Sequence, residues 1–437
     1  MDNDVIHISA LDCLPFYNEE AKAGVLQSFI ESQHSNVFYL TNSKTVDEDS
    51  KLAEFDYLAK RWNAGRFIGE AFFYHENQSY KITIKPRFGE TALLRMLEHI
   101  FNIRITKSAS TLSNTDEWQH YIKKIIAFIW IQKLANANLH GLPKSHISKE
   151  YKGQSIKGRI SVRKSIRPYY TSGEIISITR EKEIDTTIAQ ILFQAYQIIR
   201  SEFGLGLNFP DAAQDAINQI NASIKCKKLI TESDYKGLRY KEIYLNWKPI
   251  IDFSWDILKR KQVSLKQEKS KNGYGFFIDM AEIWEQYLRS LLKRNLQPMG
   301  WYLKNQNLIA YNGYFFKRNL IPDLIFEKDN EVMLWDAKYK RMAADFRDVD
   351  RADFFQIHTY LLTQVNKKVK VGGLLYPISA NKGYVESDFR SPYLLHPDGL
   401  KINFAIDGIE LKEGQEQESF QKKETEFITR IKQDILQ

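Results

Sequence analysis

Two runs of branched and aromatic residues, each carrying an acid that a buried strand should not hold, constrain this chain more than any other feature. They are Asn319-Leu-Ile-Pro-Asp-Leu-Ile-Phe326 and Val332-Met-Leu-Trp-Asp-Ala-Lys-Tyr-Lys-Arg341, separated by the polar stretch Glu327-Lys-Asp-Asn-Glu331. The pattern predicts a β-hairpin around a five-residue turn. Asp323 interrupts the first run. Asp336 and Lys338 lie two residues apart in the second, so strand alternation puts them on one face. Two carboxylates and a lysine suit the hydrolysis of a phosphodiester. Attack by water adds charge to the non-bridging oxygens, and a hard divalent cation held by carboxylates offsets that charge and acidifies a bound water. A nearby ammonium then orients the water or stabilises the developing charge. An ordinary hairpin with a Pro-Asp bend and a surface Asp-x-Lys would be written with the same letters, so the flanking sequence has to decide.

Upstream, Phe276 to Leu292 carries apolar residues at 280, 283, 284, 287, 288, 291 and 292, the stripe of an amphipathic helix. Glu285 falls at the edge of that stripe and can reach an interior site, whereas Glu282 is expected to point away. Downstream, Asp353, Gln356 and Tyr360 are spaced to share one helical face. Each segment alone reads as a surface helix. Helix, hairpin and helix in that order place a further polar layer over Asp323, Asp336 and Lys338.

These residues resemble the PD-(D/E)xK nuclease superfamily, with Ile321-Pro-Asp323 and Asp336-Ala-Lys338 as its signature. Within it, Asp279-Met-x-x-x-Trp-Glu285-x-Tyr, Ile-Pro-Asp323 and Asp336-Ala-Lys-Tyr-Lys340 look like the nuclease half of the McrC family. McrC is the endonuclease subunit of McrBC-type restriction systems, which target modified DNA. Where the family usually carries an arginine or similar residue before Pro-Asp, this chain has Ile321. The N-terminal pieces Ile82-Thr-Ile-Lys-Pro-Arg87, His140-Gly-Leu142, Lys157-Gly-Arg-Ile160 and Asp185-Thr-Thr follow in the family's order, so the resemblance covers most of residues 66–365. It implies a restriction-endonuclease-like core with Asp323, Asp336 and Glu285 around Mg²⁺ and with Lys338 and Gln356 assisting. Oxygen ligands suit Mn²⁺ as well. The resemblance also implies an N-terminal part that engages a hexameric McrB-like AAA+ GTPase and stimulates its hydrolysis, acting on double-stranded, possibly methylated DNA.

With 437 residues the chain has room for two or three domains, and 43% hydrophobic content with 13% aromatics argues for folded cores. The formal charge of +8 is compatible with nucleic acid without singling it out. Basic residues thicken near the proposed site, at Lys293, Arg294, Lys317, Arg318, Lys340, Arg341, Arg347 and Arg351, where they suit phosphates flanking the scissile bond. Two distant cysteines, Cys13 and Cys226, supply neither a disulfide framework nor zinc spacing, which fits a reducing cytoplasm. No targeting segment is expected, and the densest apolar run, Ile125 to Ile131, is too short to span a bilayer. Gly153-x-x-x-x-Gly158 lacks the Lys-Ser/Thr of a phosphate loop and reads as turns, so no nucleotide is expected on this chain.

The expected fold class is mixed α/β. Residues 1–170 read as a β-rich N-terminal domain that binds the partner, with a polar, core-poor start to about 60 that includes a loop from Asn42 to Lys51. Strands are expected at Arg66–Tyr74, Ser79–Pro86 and Ser155–Arg163, and helices at Glu90–Phe101 and Asp116–Ala137. Residues 171–272 read as a helical region, with helices at Lys182–Glu202, Pro210–Lys225 and Asn246–Lys261 and a loop from Gln267. Residues 273–405 form the nuclease domain, in which Val369–Pro377 is a buried strand. Residues 406–437 read as a polar tail ending in a solvated helix. Three functions remain open: the nuclease subunit of a motor-driven restriction complex, a free-standing DNA processing nuclease using the same residues, and a non-catalytic GTPase activator.

Overall fold

The computed structural model of the chain describes residues 5–17, 23–33, 37–38, 51–101, 115–202, 210–224, 226–267, 274–304, 308–340, 349–364, 366–379, 390–394, 401–412 and 416–436. Its contacts separate two compact units, residues 1–111 with 271–437, and residues 112–270. The expected division into consecutive segments at 170, 272 and 405 therefore gives way to a unit inserted within another.

The first unit begins with β1 (Ile6–Leu11), α1 (Ala23–Gln33), β2 (Val37–Phe38), β3 (Ala53–Asp56), β4 (Arg61–Ala64), β5 (Phe67–His75), β6 (Gln78–Lys85) and α2 (Gly89–Phe101). The β5–β6 hairpin closes through Glu76 and Asn77, both left-handed, the conformation that matches strand twist. Pro86 follows β6 directly, as expected for a strand stop. The region before residue 60 is not core-poor: β1 pairs in parallel with β6, and Ile8, Ala10, Val25, Leu26, Phe29 and Leu52 join the hairpin's core. Most of the Asn42–Lys51 loop lies outside the described residues.

The inserted unit holds α3 (Thr115–Ala137), β7 (Lys144–Gly153), β8 (Arg159–Ile160), α4 (Val162–Ser172), β9 (Ile175–Ile184), α5 (Thr186–Glu202), α6 (Asp211–Ser223), α7 (Glu232–Lys236) and α8 (Lys248–Gln267). Here the strand expected at Ser155–Arg163 shrinks to β8, because β7 and β9 pair with each other over ten residues and leave it only an edge. The helix expected from Lys182 starts at Thr186, where Asp185 accepts the N–H groups of Thr187 and Ile188 as a cap. Gly158 adopts a left-handed turn.

The first unit resumes with β10 (Tyr274–Asp279), α9 (Met280–Leu296), β11 (Tyr302–Lys304), β12 (Leu308–Asn312), β13 (Lys317–Leu320), β14 (Leu324–Lys328), β15 (Glu331–Ala337), α10 (Arg351–Leu362), β16 (Lys368–Ser379), β17 (Arg390–Leu394), β18 (Lys401–Leu411) and α11 (Gln417–Leu436). Residues 276–279, expected as helix, are strand: β10 pairs antiparallel with β5, completing the sheet β1-β6-β5-β10-β2. Asp279 ends the strand and caps α9, accepting Ala281 N–H at 2.9 Å and pairing with Arg66 at 3.1 Å. Most of the loop expected from Gln267 lies outside the described residues.

The second sheet runs β11-β14-β15-β16-β18-β17, parallel at β15-β16-β18 and antiparallel elsewhere, with α9, α10 and α11 packed on it. This is the mixed sheet expected for the nuclease core. The hairpin is tighter than its composition suggests, since Lys328 pairs with Glu331 across the two-residue turn Asp329-Asn330, with Asp329 left-handed. The described residues after 405 form no polar tail. β18 is a sheet strand, and α11 buries Phe420, Phe427, Ile428, Ile431 and Ile435 while Arg430 pairs with the buried Asp407 at 2.9 Å. Among the described residues no helix is long and apolar enough to cross a membrane.

β16 depends on a close approach at Gly373, where an added Cβ would lie 1.7 Å from the Ala405 carbonyl oxygen. Because backbone rather than a flexible side chain occupies that space, Gly373→Ala is expected to destabilise the protein by about 1–3 kcal/mol. A lowered denaturant midpoint with an unchanged slope would show it.

Candidate active site

The site is built where β14, β15, α9 and α10 meet in the first unit. Ile321 and Pro322 lead from β13 into β14, and Asp323 sits at that bend rather than within a strand, half-buried. Its Oδ2 accepts the Ala337 N–H at 2.7 Å, and its main-chain oxygen accepts from Arg289 of α9 at 2.7 Å. Asp323 is thus fixed from the strand that carries Asp336 and from the helix that carries Glu285. Asp336 is buried near the end of β15, and Lys338 lies one residue beyond the strand, its N–H donated to the Leu375 carbonyl of β16 at 2.9 Å.

Lys338 Nζ approaches Asp336 Oδ2 at 2.7 Å, Gln356 Oε1 at 2.7 Å and Asp353 Oδ1 at 3.3 Å. Gln356 Nε2 donates onward to the Tyr360 hydroxyl at 2.7 Å. The face expected for Asp353, Gln356 and Tyr360 therefore does close over Lys338. Asp350 caps the helix that presents them, accepting the N–H groups of Ala352 and Asp353. Asp353 plays a larger part than its sequence position indicates. It is buried, receives Lys340 at 2.9 Å and lies 3.4 Å from the Tyr376 hydroxyl. Its i, i+3 spacing to Gln356 was the available signal.

Glu285 lies on the face of α9 that feels the site's charge. The helix is anchored by the Trp284 indole N–H donating to the Leu375 carbonyl at 3.1 Å. Burial pushes Glu285 above the usual carboxylate range; Arg289 opposes this, and Asp336 and Asp279 reinforce it. Glu282, expected to point outward, is buried instead. Burial, then repulsion from Asp336 and Glu285, holds Asp323 well above its ordinary range, with the Ala337 N–H and Lys338 opposing. Asp336 is raised by burial and lowered in part by Lys338. Burial disfavours the charged form of Lys338, but Asp336, Asp353 and Asp323 outweigh it and keep the ammonium protonated above its usual range.

This donor set suits a hard divalent cation. All the ligands are oxygens, the carboxylates repel one another, and Asp336 Oδ2 is buried without a well-directed hydrogen bond. Asp323 and Asp336 would hold the ion, with Glu285 behind them. Among the described residues no three His, Cys, Asp or Glu side chains converge closely enough to form a metal cluster, so Glu285 is not brought in as the third ligand expected beside Asp323 and Asp336.

The basic candidates separate. Lys340 is engaged with Asp353, and its main-chain oxygen accepts from the buried Arg87 at 3.3 Å. Arg87 also stacks on Tyr339 at 4.6 Å and pairs with Asp12 at 3.8 Å, so the Pro-Arg after β6 braces the segment following Lys338. Lys317 and Arg318 are exposed on β13. Arg294 donates to the His99 carbonyl at 2.8 Å. Arg341 and Arg347 lie outside the described residues. A cavity of about 190 Å³ lined by His146, Asp185, Arg239 and Tyr240 belongs to the inserted unit and contains none of the candidate site residues.

A family model described as McrBC 5-methylcytosine restriction system component matches residues 64–377. Among solved structures, the chain is similar to one in a refined half-complex from a tetradecameric assembly of Thermococcus gammatolerans McrB AAA+ hexamers with bound McrC. That match covers 98% of this chain and 100% of that one at 14% identity, with a TM-score of 0.51, and shows a shared fold. The cryo-EM structure of the Thermococcus gammatolerans McrBC complex matches at 14% identity and a TM-score of 0.33, over 67% of this chain and 88% of that one. A search of curated proteins finds no match.

The raised Asp323 fixes a pH dependence. The folded chain binds more protons than the unfolded one between the ordinary aspartate pKa and the raised value, so stability falls as pH rises through that window. Asp323→Asn keeps an acceptor for the Ala337 N–H. Without added metal it is expected to unfold at a higher temperature than wild type at pH 7 and to lose that advantage below about pH 4, by calorimetry at both pH values.

Proposed function

The chain belongs to the McrBC family of restriction-system components, and from that premise we propose that it is the McrC-type endonuclease subunit of an anti-phage restriction complex. It would hydrolyse phosphodiester bonds in double-stranded, modified DNA with Mg²⁺, in the cytoplasm, while bound to an AAA+ GTPase whose hydrolysis it stimulates. The observation that carries this reading is the convergence of Asp323, Asp336 and Lys338 at one end of a mixed sheet, with Gln356 holding the lysine.

In this reading Asp323 and Asp336 hold the ion, and Glu285 supports them from α9. The bound cation would supply charge for the phosphate oxygens and acidify the attacking water. Asp336, Asp353 and Asp323 favour the protonated form of Lys338, which suits a hydrogen-bond donor and fixed positive charge. Its ammonium donates to Gln356 and lies against the carboxylates of Asp336 and Asp353. The 3.3 Å contact to Asp353 is the longest, and is the one to exchange for a substrate phosphate oxygen or the attacking water. Gln356 and Tyr360 keep the lysine aimed while that exchange occurs.

A motor partner is supported by the McrB-bound relative of the same fold. The inserted unit offers a surface for it, since β8 and α4 leave Ile160, Val162, Ile166, Tyr169 and Tyr170 exposed together in sequence, more apolar surface than an isolated unit has use for.

Asp336→Ala and Lys338→Ala are each expected to lower DNA cleavage by the assembled complex by about 10²–10³-fold or more while leaving GTPase stimulation in place. Unchanged cleavage by both would remove the site assignment; robust cleavage by the wild-type chain alone would favour a free-standing nuclease. Ile166→Asp with Tyr170→Asp is expected to weaken assembly with the GTPase by about tenfold or more, read by titrating stimulation.

A further inference from the structure

Between β11 and β14 the chain leaves the six-stranded sheet and forms a separate two-stranded hairpin, β12 with β13. Its roots, Leu308 and Leu320, pack against the core under α10. Beyond them nearly every residue is exposed. At the tip, Gly313 to Phe316, Tyr314 is 110% exposed and Phe315 94%, while the rings of Tyr311 and Phe316 meet at a tilt with centroids 4.5 Å apart and Ile309 is also open to solvent. Lys317 and Arg318 project from the returning strand, and the sequence from Leu308 to Leu320 contains no acid.

An exposed aromatic hairpin invites aggregation unless it has an occupant. Aromatic rings beside cations, with no carboxylate among them, fit a polyanion with stacked planar groups: cations meet phosphates, and rings stack on or wedge between bases. The hairpin also returns to the candidate site at once, with only Ile321 and Pro322 between Leu320 and Asp323. At about 3.3 Å per strand residue the tip reaches roughly 15 Å from its root, on the order of four or five base pairs.

We propose that the β12–β13 hairpin is a duplex-gripping wedge: Lys317 and Arg318 contact backbone phosphates near the scissile bond, and Tyr314 and Phe315 insert into the base stack. This rests on the nuclease reading for its location but not for its test. Aromatic wedges of this kind kink the duplex where they enter, which would present a distorted backbone to Asp323 and Asp336.

The test uses the full chain, alone and with its AAA+ partner, and a duplex carrying 2-aminopurine, in EDTA for the chain alone and with Ca²⁺ in place of Mg²⁺ for the complex. Wild type is expected to raise the 2-aminopurine fluorescence on binding. Tyr314→Ser with Phe315→Ser should abolish the rise and weaken binding about tenfold or more, whereas Phe315→Trp should retain both. Lys317→Ala with Arg318→Ala should lower the dependence of log K on log salt by about 2. Because the tip is solvent-exposed, all these variants should unfold at the wild-type temperature. No fluorescence rise with wild type in either setting overturns the proposal. So does an unchanged rise and affinity in the serine variant, or loss of partner assembly with DNA binding intact, which would make the hairpin a protein-docking element. Cleavage by Asp336→Ala is measured in parallel. If it matches wild type the nuclease reading fails while the fluorescence still reports on the hairpin, and if it is abolished while the serine variant binds normally only the hairpin proposal fails.

Discussion

Half-buried Asp323 sits beside the buried Asp336, which together with Glu285 raises the energetic cost of ionising it, while Asp323 eases the ionisation of Asp336 through a hydrogen bond. Left alone, such a pair would take up protons or force the strands apart. The surrounding fold answers that repulsion with groups that can neither leave nor rotate. The Ala337 N–H is main chain, Lys338 is held at both its amide and its ammonium, and Arg289 grips the main chain of Asp323 from α9. Remaining charge is what a divalent cation is suited to absorb. The frame therefore keeps carboxylates close although their proximity is destabilising.

The same logic extends outward. Asp353 balances Lys338 and Lys340, Asp350 caps the helix that carries Asp353, and Arg87 braces the chain after Lys338 from the first sheet. A second polar cluster ties the helices: Glu424 of α11 meets Arg95 and His99 of α2 and Tyr287 of α9. The pairs Asp279–Arg66 and Glu424–Arg95 join elements that are not neighbours in the chain, so each also fixes a tertiary relationship.

The meeting of Asp323, Asp336 and Lys338 was legible because they are short-range signals on a strongly apolar background. Gln356 and Tyr360 were legible from helical spacing. What local patterns could not reveal came from pairing at a distance. Phe276 to Asp279 has the letters of a helix start, yet β5, some two hundred residues upstream, recruits it as a strand. The thin stripe from Phe420 to Ile435 looks solvated until β18 supplies the sheet on which α11 lies. Glu282 reads as outward-facing from its own helix and is buried by its neighbours.

β10 gives the chain an unusual order of assembly. The sheet begun by residues 6–85 gains β10, its strand between β5 and β2, only after the whole inserted unit has been synthesised. During translation the first strands must wait with an edge open while the intervening 112–270 segment folds, the kind of exposed intermediate that chaperones attend and that slows folding through high contact order. A chain cut anywhere before residue 274 would lack both β10 and the helix it launches. Completion of the first sheet is thus linked to the arrival of residues beyond the inserted unit, so a truncated product would not be left with a finished front half.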